Sequence, residues 1–206
     1  DMEHSDTQGR IGPNAILRVM EALQSESGPA LVGQILSRAG LAAYLEAPPA
    51  AMLEEHEVRA LHGALREILG PERARAIGRQ AGRLTGDYLL ANRIPALAQT
   101  LLRALPAPLA GRLLLKAIAR NAWTFTGNGR FTYRPGRPHR LRIAGCAICR
   151  GAHSDAPLCD YYGATFERLF QVLVGPRFQV KEVQCEACGD PACTFEVAAP
   201  ASEGRP

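Results

Sequence analysis

Three short runs near the C-terminal end carry the reading of the fold: Cys159-Asp160-Tyr161-Tyr162-Gly163, then Glu182-Val183-Gln184-Cys185, then Gly189-Asp190-Pro191-Ala192-Cys193-Thr194-Phe195. All six cysteines of the 206-residue chain, Cys146, Cys149, Cys159, Cys185, Cys188 and Cys193, fall in its last third. A disulfide framework belongs to small secreted domains, and the polar, acid-bearing first ten residues do not read as a secretory signal. Gathered thiols in a chain of this kind point instead to a soft metal, zinc or an iron–sulfur cluster. Spacing alone allows a zinc ribbon with Cys146-x-x-Cys149 and Cys185-x-x-Cys188 as two knuckles. It also allows a redox pair at Cys146 and Cys149, or simply reduced buried thiols.

Around these runs the hydrophobic period changes twice. Upstream, apolar residues recur at helical spacing over 14–24, 30–38, 52–69 and 72–92, with Gly28-Pro29, Pro48-Pro49 and Gly70-Pro71 as breaks. Pro95, Pro106 and Pro108 punctuate two more helical pieces, the last over 109–122. From Trp123 the pattern alternates, predicting strands over 130–134 and 139–144. A helix follows over 158–174, burying Tyr162, Phe166, Leu169, Phe170 and Leu173, and strands return over 178–184 and 194–197. Helices, two strands, a helix and two strands make an α+β fold with an antiparallel sheet, without the βαβ alternation of a doubly wound one. The expected organisation is a flexible start over 1–12, a helical region over 13–108, a sheet-bearing core over 109–199 and a flexible tail over 200–206.

The C-terminal runs resemble the vinyl-4-reductase domain family, over roughly 109–197. Similar domains are the sensor modules of phenol-responsive bacterial activators, where zinc sits on a Cys at a helix start, a Glu and a Cys three apart on a strand, and a Cys eight further on. The resemblance therefore implies a structural Zn²⁺ on Cys159, Glu182, Cys185 and Cys193, which here stand at spacings of 23, 3 and 8. Over the whole chain the likeness extends to a bacteriochlorophyll-biosynthesis protein that carries this domain. Two functions follow as expectations. One is an auxiliary carrier for a magnesium-porphyrin intermediate; the other is a reductase of the 8-vinyl group (4-vinyl in older numbering) of divinyl precursors. The carrier is preferred, since no Gly-x-Gly-x-x-Gly follows a strand and Gly127-Asn128-Gly129 lacks the third glycine. Related domains commonly pair, so a homodimer through the apolar face over 14–23 is expected.

Charge sharpens the carrier expectation. Over 88–154 there are eleven Lys and Arg and no Asp or Glu, whereas the remainder nets −7 within an overall +4. A basic middle suits an anionic partner. A tetrapyrrole is an apolar disc with carboxylates. Trp123, Phe125, Phe131, Tyr133, Tyr162 and Phe166 are the candidate walls of its slot, with Arg140 and Arg142 as candidate carboxylate contacts. His139 and His153 are candidate ligands to its magnesium. The same bases would dock an acidic biosynthetic enzyme such as the magnesium chelatase porphyrin-binding subunit. The arginines scatter without a groove-reading element, so nucleic acid is not expected. No run is long and apolar enough for a membrane span. The protein is expected to be cytoplasmic, with room for a peripheral place at the photosynthetic membrane.

Overall fold

A computed structural model describes residues 9–200. The flexible start and tail expected from the sequence lie outside the described residues over 1–8 and 201–206. Residues 9–12 differ from that expectation. Strand β1 (Arg10–Ile11) pairs antiparallel with β2 (Leu53–Glu54), and Ile11 is buried.

Between them lie α1 (Asn14–Ser27) and α2 (Pro29–Arg38), separated at Gly28, whose φ of 79° lets the chain reverse before Pro29 opens the next helix. Helix α1 buries Ala15, Ile16, Val19, Ala22 and Leu23 against α2 and the long α3 (Glu55–Asn92). Its apolar face is therefore covered within the chain, and the open surface that motivated a dimer there does not exist. Helix α3 begins with a capping box between Glu54 and Glu57. It breaks at Gly70 (φ 78°, ψ 164°), just before Pro71, where the sequence predicts two helices.

Helices α4 (Ala96–Ala104) and α5 (Ala107–Arg120) follow. Helix α4 lies on the surface. Its one buried residue, Gln99, donates to the carbonyls of Leu90 (2.6 Å) and Ile94 (2.9 Å), while Leu97 is 86% exposed. The sheet then forms from β3 (Arg130–Arg134), β4 (His139–Ala144), β5 (Gln179–Gln184) and β6 (Cys193–Ala198), with α6 (Asp160–Leu173) between β4 and β5. All neighbours are antiparallel, in the order β3-β4-β6-β5. The α+β class read from the sequence is the observed one. No helix among the described residues is long and apolar enough to cross a membrane.

Strand alternation gives the sheet two different faces. Leu141, Ile143, Phe195 and Val197 are buried on the face that meets α6, and the register puts Phe131 and Tyr133 beside Ile143 and Leu141. The opposite face carries Arg130, Arg134, Arg140, Arg142 and Lys181, with Glu196 between Arg140 and Lys181.

Helix α6 is clamped from its other side by the second half of α3, through a stripe of glycines. A β-carbon on Gly82 would stand 2.2 Å from the Tyr161 carbonyl oxygen, and one on Gly86 would stand 2.7 Å from Arg168 Cβ. Without those side chains the two backbones touch, and Thr165 donates to the Gly82 carbonyl at 3.0 Å. Thr85 and Tyr161 share a hydroxyl contact at 3.0 Å beside it.

Gly82→Val should therefore force the helices apart and destabilise the protein by roughly 3 kcal/mol in urea titrations. Gly63, in the first half of α3, would meet nothing within 4 Å. Gly63→Ala should stabilise by roughly 0.5–1 kcal/mol through helix propensity and a less flexible unfolded chain. Equal effects of the two changes would contradict this packing.

Candidate metal centre

Cys159 caps the start of α6 and is held from two sides. Its backbone N–H donates to Glu182 Oε2 at 2.8 Å. The next residue, Asp160, accepts from Arg75 (2.8 Å) and Arg79 (2.7 Å), one turn apart on α3. An acid at a helix N-terminus suits the helix dipole, and two arginines fix its direction. On β5, plain alternation would turn Glu182 and Cys185, three residues apart, to opposite faces. The register shift between Glu182 and Gln184 resets the parity, so both turn inward. The Cys185 N–H donates to Asp190 at 2.9 Å, a short 3₁₀ turn spans Glu186–Cys188, and Gly189 supplies a left-handed turn (φ 93°). Cys193 then opens β6.

These segments place one donor atom each of Cys159, Glu182, Cys185 and Cys193 within 4.8 Å of one another. The loop after β4 brings two more. Cys146, Cys149, Cys159 and Cys193 form a second such set, so Cys159 and Cys193 belong to both. The Sγ–Sγ separations are 3.4 Å for Cys146–Cys159 and for Cys149–Cys193, 3.5 Å for Cys159–Cys193 and 3.9 Å for Cys185–Cys193. Cys188 is exposed and in neither set, which removes the ribbon with Cys185 and Cys188 as a knuckle. Reasoning from sequence saw Cys146 and Cys149 as a pair but gave them the wrong partner.

The surroundings fit a cation. Glu182 Oε1 is buried and has no hydrogen-bond partner. Burial, with Cys185 alongside, pushes the Glu182 carboxyl up to about 9, and burial raises the Cys159 thiol above its usual range. Groups so placed stay protonated unless a positive charge meets them. The Arg66 guanidinium supplies part of it, donating to the Ile148 carbonyl at 3.2 Å. Burial lowers its pKa, and the sulfurs of Cys159, Cys149, Cys185 and Cys146 push it back up. Arg66, Asp160, Arg75 and Arg79 gave no signal in the sequence beyond their charge.

The expected ligand residues divide. Phe125, Phe131, Tyr162 and Phe166 pack on one another with ring centroids 5.7–6.4 Å apart, Tyr133 stacks on Phe131, and the Tyr162 hydroxyl donates to the Phe125 carbonyl at 2.7 Å. Tyr162 and Phe166 are buried, Phe125, Phe131 and Tyr133 are half-buried, and Trp123 is exposed. Arg140 and Arg142 lie on the other face of the sheet, so the structure does not bring them to these rings; Arg140 pairs with Glu196 at 2.8 Å. His139 is also committed to packing. Its Nδ1 accepts the Gly136 N–H at 3.1 Å and its ring stacks on Phe178, while His153 is exposed.

A groove of about 560 Å³ opens instead between α6, β5 and the second half of α3. Pro157, Ala164 and Val180 line it, with Arg75, Arg79 and Lys181 around them and Cys159 and Glu182 in its wall. A second buried imidazole that sequence reasoning passed over, His62, is pushed down to about 3 by burial and by Arg66, and its Nε2 has no partner.

Comparison with known proteins bears on all of this. Residues 139–199 match the vinyl-4-reductase domain. The bacteriochlorophyll synthase 23 kDa chain of Cereibacter sphaeroides is 48% identical, covering 91% of this chain and 90% of the relative. That of Rhodobacter capsulatus is 40% identical, covering 92% and 87%. Among solved structures, an Fe(II) unliganded H-NOX protein from K. algicida has a TM-score of 0.59 at 8% identity, covering 94% of this chain and 98% of that one. The phenol-responsive sensory domain of PoxR, solved with phenol, has a TM-score of 0.51 at 18% identity, covering 70% and 74%. At these identities the last two likenesses are of fold alone. The two relatives match along nearly the whole length, and the chain belongs to the family of the bacteriochlorophyll synthase 23 kDa chain, built on a vinyl-4-reductase domain.

Proposed function

We propose that this protein is an auxiliary component of bacteriochlorophyll synthesis that binds a magnesium-porphyrin intermediate and hands it on without transforming it. The observation that carries the reading is the 48% identity, along nine-tenths of both chains, to a protein named as a chain of bacteriochlorophyll synthase. The cysteine cluster is its structural Zn²⁺ site, with Cys159, Glu182, Cys185 and Cys193 as ligands. Three thiolates and a carboxylate close a tetrahedral site, and zinc so held adds folding energy without redox chemistry.

Purified protein should therefore carry zinc, and Cys193→Ser should lose it and lower the thermal midpoint by on the order of 10 °C. Cys188→Ser, changing the exposed thiol, should keep the full metal content. Retention of zinc by Cys193→Ser, or its loss from Cys188→Ser, would overturn the assignment.

The groove beside α6 is the ligand site in this reading. Its volume lies in the range of small-molecule sites, and an apolar lining rimmed by cations suits a disc with carboxylates. The aromatic cluster of Phe125, Phe131, Tyr133, Tyr162 and Phe166 supports the helix that forms one wall, and Trp123 lies outside it. Titration with Mg-protoporphyrin should shift the pigment's absorption, and Lys181→Glu should weaken binding roughly tenfold, about 1.4 kcal/mol. Phe131→Ala should leave the affinity within a factor of about two. The reverse order of effects would move the site to the aromatic cluster. Turnover of divinyl protochlorophyllide to the monovinyl pigment, on adding NADPH, reduced flavin or reduced ferredoxin, would make the protein the reductase instead.

Arg130, Arg134, Arg140, Arg142 and Lys181 on the outer face of the sheet form the docking surface for an acidic partner enzyme, such as the porphyrin-binding subunit of magnesium chelatase. Association measured between the two proteins should weaken as salt is raised and fall further in Arg130→Glu with Arg134→Glu. Binding indifferent to both would exclude this face.

A further inference from the structure

We infer that the cysteine cluster holds two divalent metal ions, bridged by the thiolates of Cys159 and Cys193, rather than the single ion of a closed four-ligand site. The inference rests on the cluster being a metal centre, as proposed above, and goes beyond it in stoichiometry and in the role of Cys146 and Cys149.

Two overlapping sets of four donors share Cys159 and Cys193. A single tetrahedral ion cannot use both sets. If it takes Cys159, Glu182, Cys185 and Cys193, the buried thiols of Cys146 and Cys149 are left against it. If it takes the four cysteines of the other set, Cys185 and Glu182 are left, and Glu182 Oε1 has no partner in the buried interior. Two four-coordinate ions sharing two thiolates use all six donors and leave none bare.

Spacing and charge agree with this filling. With Zn–S bonds of about 2.3 Å, two sulfurs on one tetrahedral ion stand about 3.8 Å apart. The observed separations run from 3.4 to 3.9 Å, and the proposed bridging pair lies 3.5 Å apart. Six anionic donors around two divalent ions leave the net charge that one zinc with four thiolates has. The Arg66 guanidinium stands against that charge on the α3 side.

The loop carrying Cys146 and Cys149 is held in place by contacts of its own. Glu186, next to Cys185, accepts the N–H groups of Gly145 (2.5 Å) and Cys146 (3.1 Å), and the Ala187 carbonyl accepts that of Ser154 at 2.9 Å. Arg150 pairs with Glu55 at the start of α3 and donates to the Gly145 carbonyl. Cys146 and Cys149 are therefore as fixed as the four other donors.

The test is metal content of the full chain, purified with excess zinc and then desalted, read by elemental analysis and native mass spectrometry. Two ions per chain are expected. The double variant Cys146→Ser/Cys149→Ser should keep one, and Glu182→Gln/Cys185→Ser should keep the other. Cadmium-substituted wild type supplies a readout that does not depend on the variants folding. It should give two cadmium resonances, each split by coupling through the shared sulfurs. One ion per chain with a single unsplit resonance would overturn the paired centre while leaving the single-ion site intact. Absence of any bound metal would overturn both.

Discussion

Burying five thiols and a carboxyl around one point is unfavourable unless their charge is met, and that requirement organises the C-terminal part of the molecule. The donors come from four separate segments: the loop after β4, the first residue before α6, the end of β5 and the start of β6. None of these is adjacent to another in the chain except through a turn. A cation at their meeting point would join the sheet to its helix where backbone hydrogen bonds cannot, because a helix end and a strand face share no ladder. The short range of metal–thiolate bonds then demands that each segment arrive within a few tenths of an ångström.

Two devices deliver that precision. The first is the glycine contact between α3 and α6, which lets two backbones touch and so fixes the height of α6 over the sheet. Arg75 and Arg79 then pin Asp160, and with it Cys159, from the same helix that carries Gly78 and Gly82. The second is the irregularity between Glu182 and Gln184, which turns a strand with donors of the wrong parity into one with both facing inward. The helical first half thereby acts on the centre without supplying a ligand. It contributes Arg66 as a charge, Glu55 as an anchor for Arg150, and the surface that α6 packs on.

Much of this was legible in the sequence. Arg130 to Arg134 and His139 to Ala144 alternate between exposed and buried residues, and β3 and β4 occupy those bounds. Gly-Pro pairs marked the helix breaks because glycine reaches positive φ and proline opens the next turn. The donor set including Glu182 was legible only through family likeness, since strand alternation by itself argues against pairing Glu182 with Cys185. Other features needed tertiary structure. Gly78, Gly82 and Gly86 read as composition until α6 was seen against them. The apolar face of α1 looked open because its cover, α3, comes later in the chain. Arg140 and Arg142 were grouped with Phe131 and Tyr133 by proximity in sequence, although the register turns them to opposite faces.

The division between faces also separates two tasks that the sequence ran together. In the proposed account, pigment binding belongs to the groove beside α6, and partner docking belongs to the basic outer face of the sheet. The metal centre lies in the wall of the groove, through Cys159 and Glu182, so its integrity and the shape of the ligand site are linked. The central claim is that this buried cluster is a metal centre, and anomalous diffraction from crystals, recorded on both sides of the zinc absorption edge, tests it most directly. The account predicts edge-dependent density within about 2.3 Å of the Cys159 and Cys193 sulfurs, continuing toward Glu182 and Cys185 on one side and Cys146 and Cys149 on the other. No edge-dependent density, with a disulfide joining Cys146 to Cys159 or Cys149 to Cys193, would contradict it.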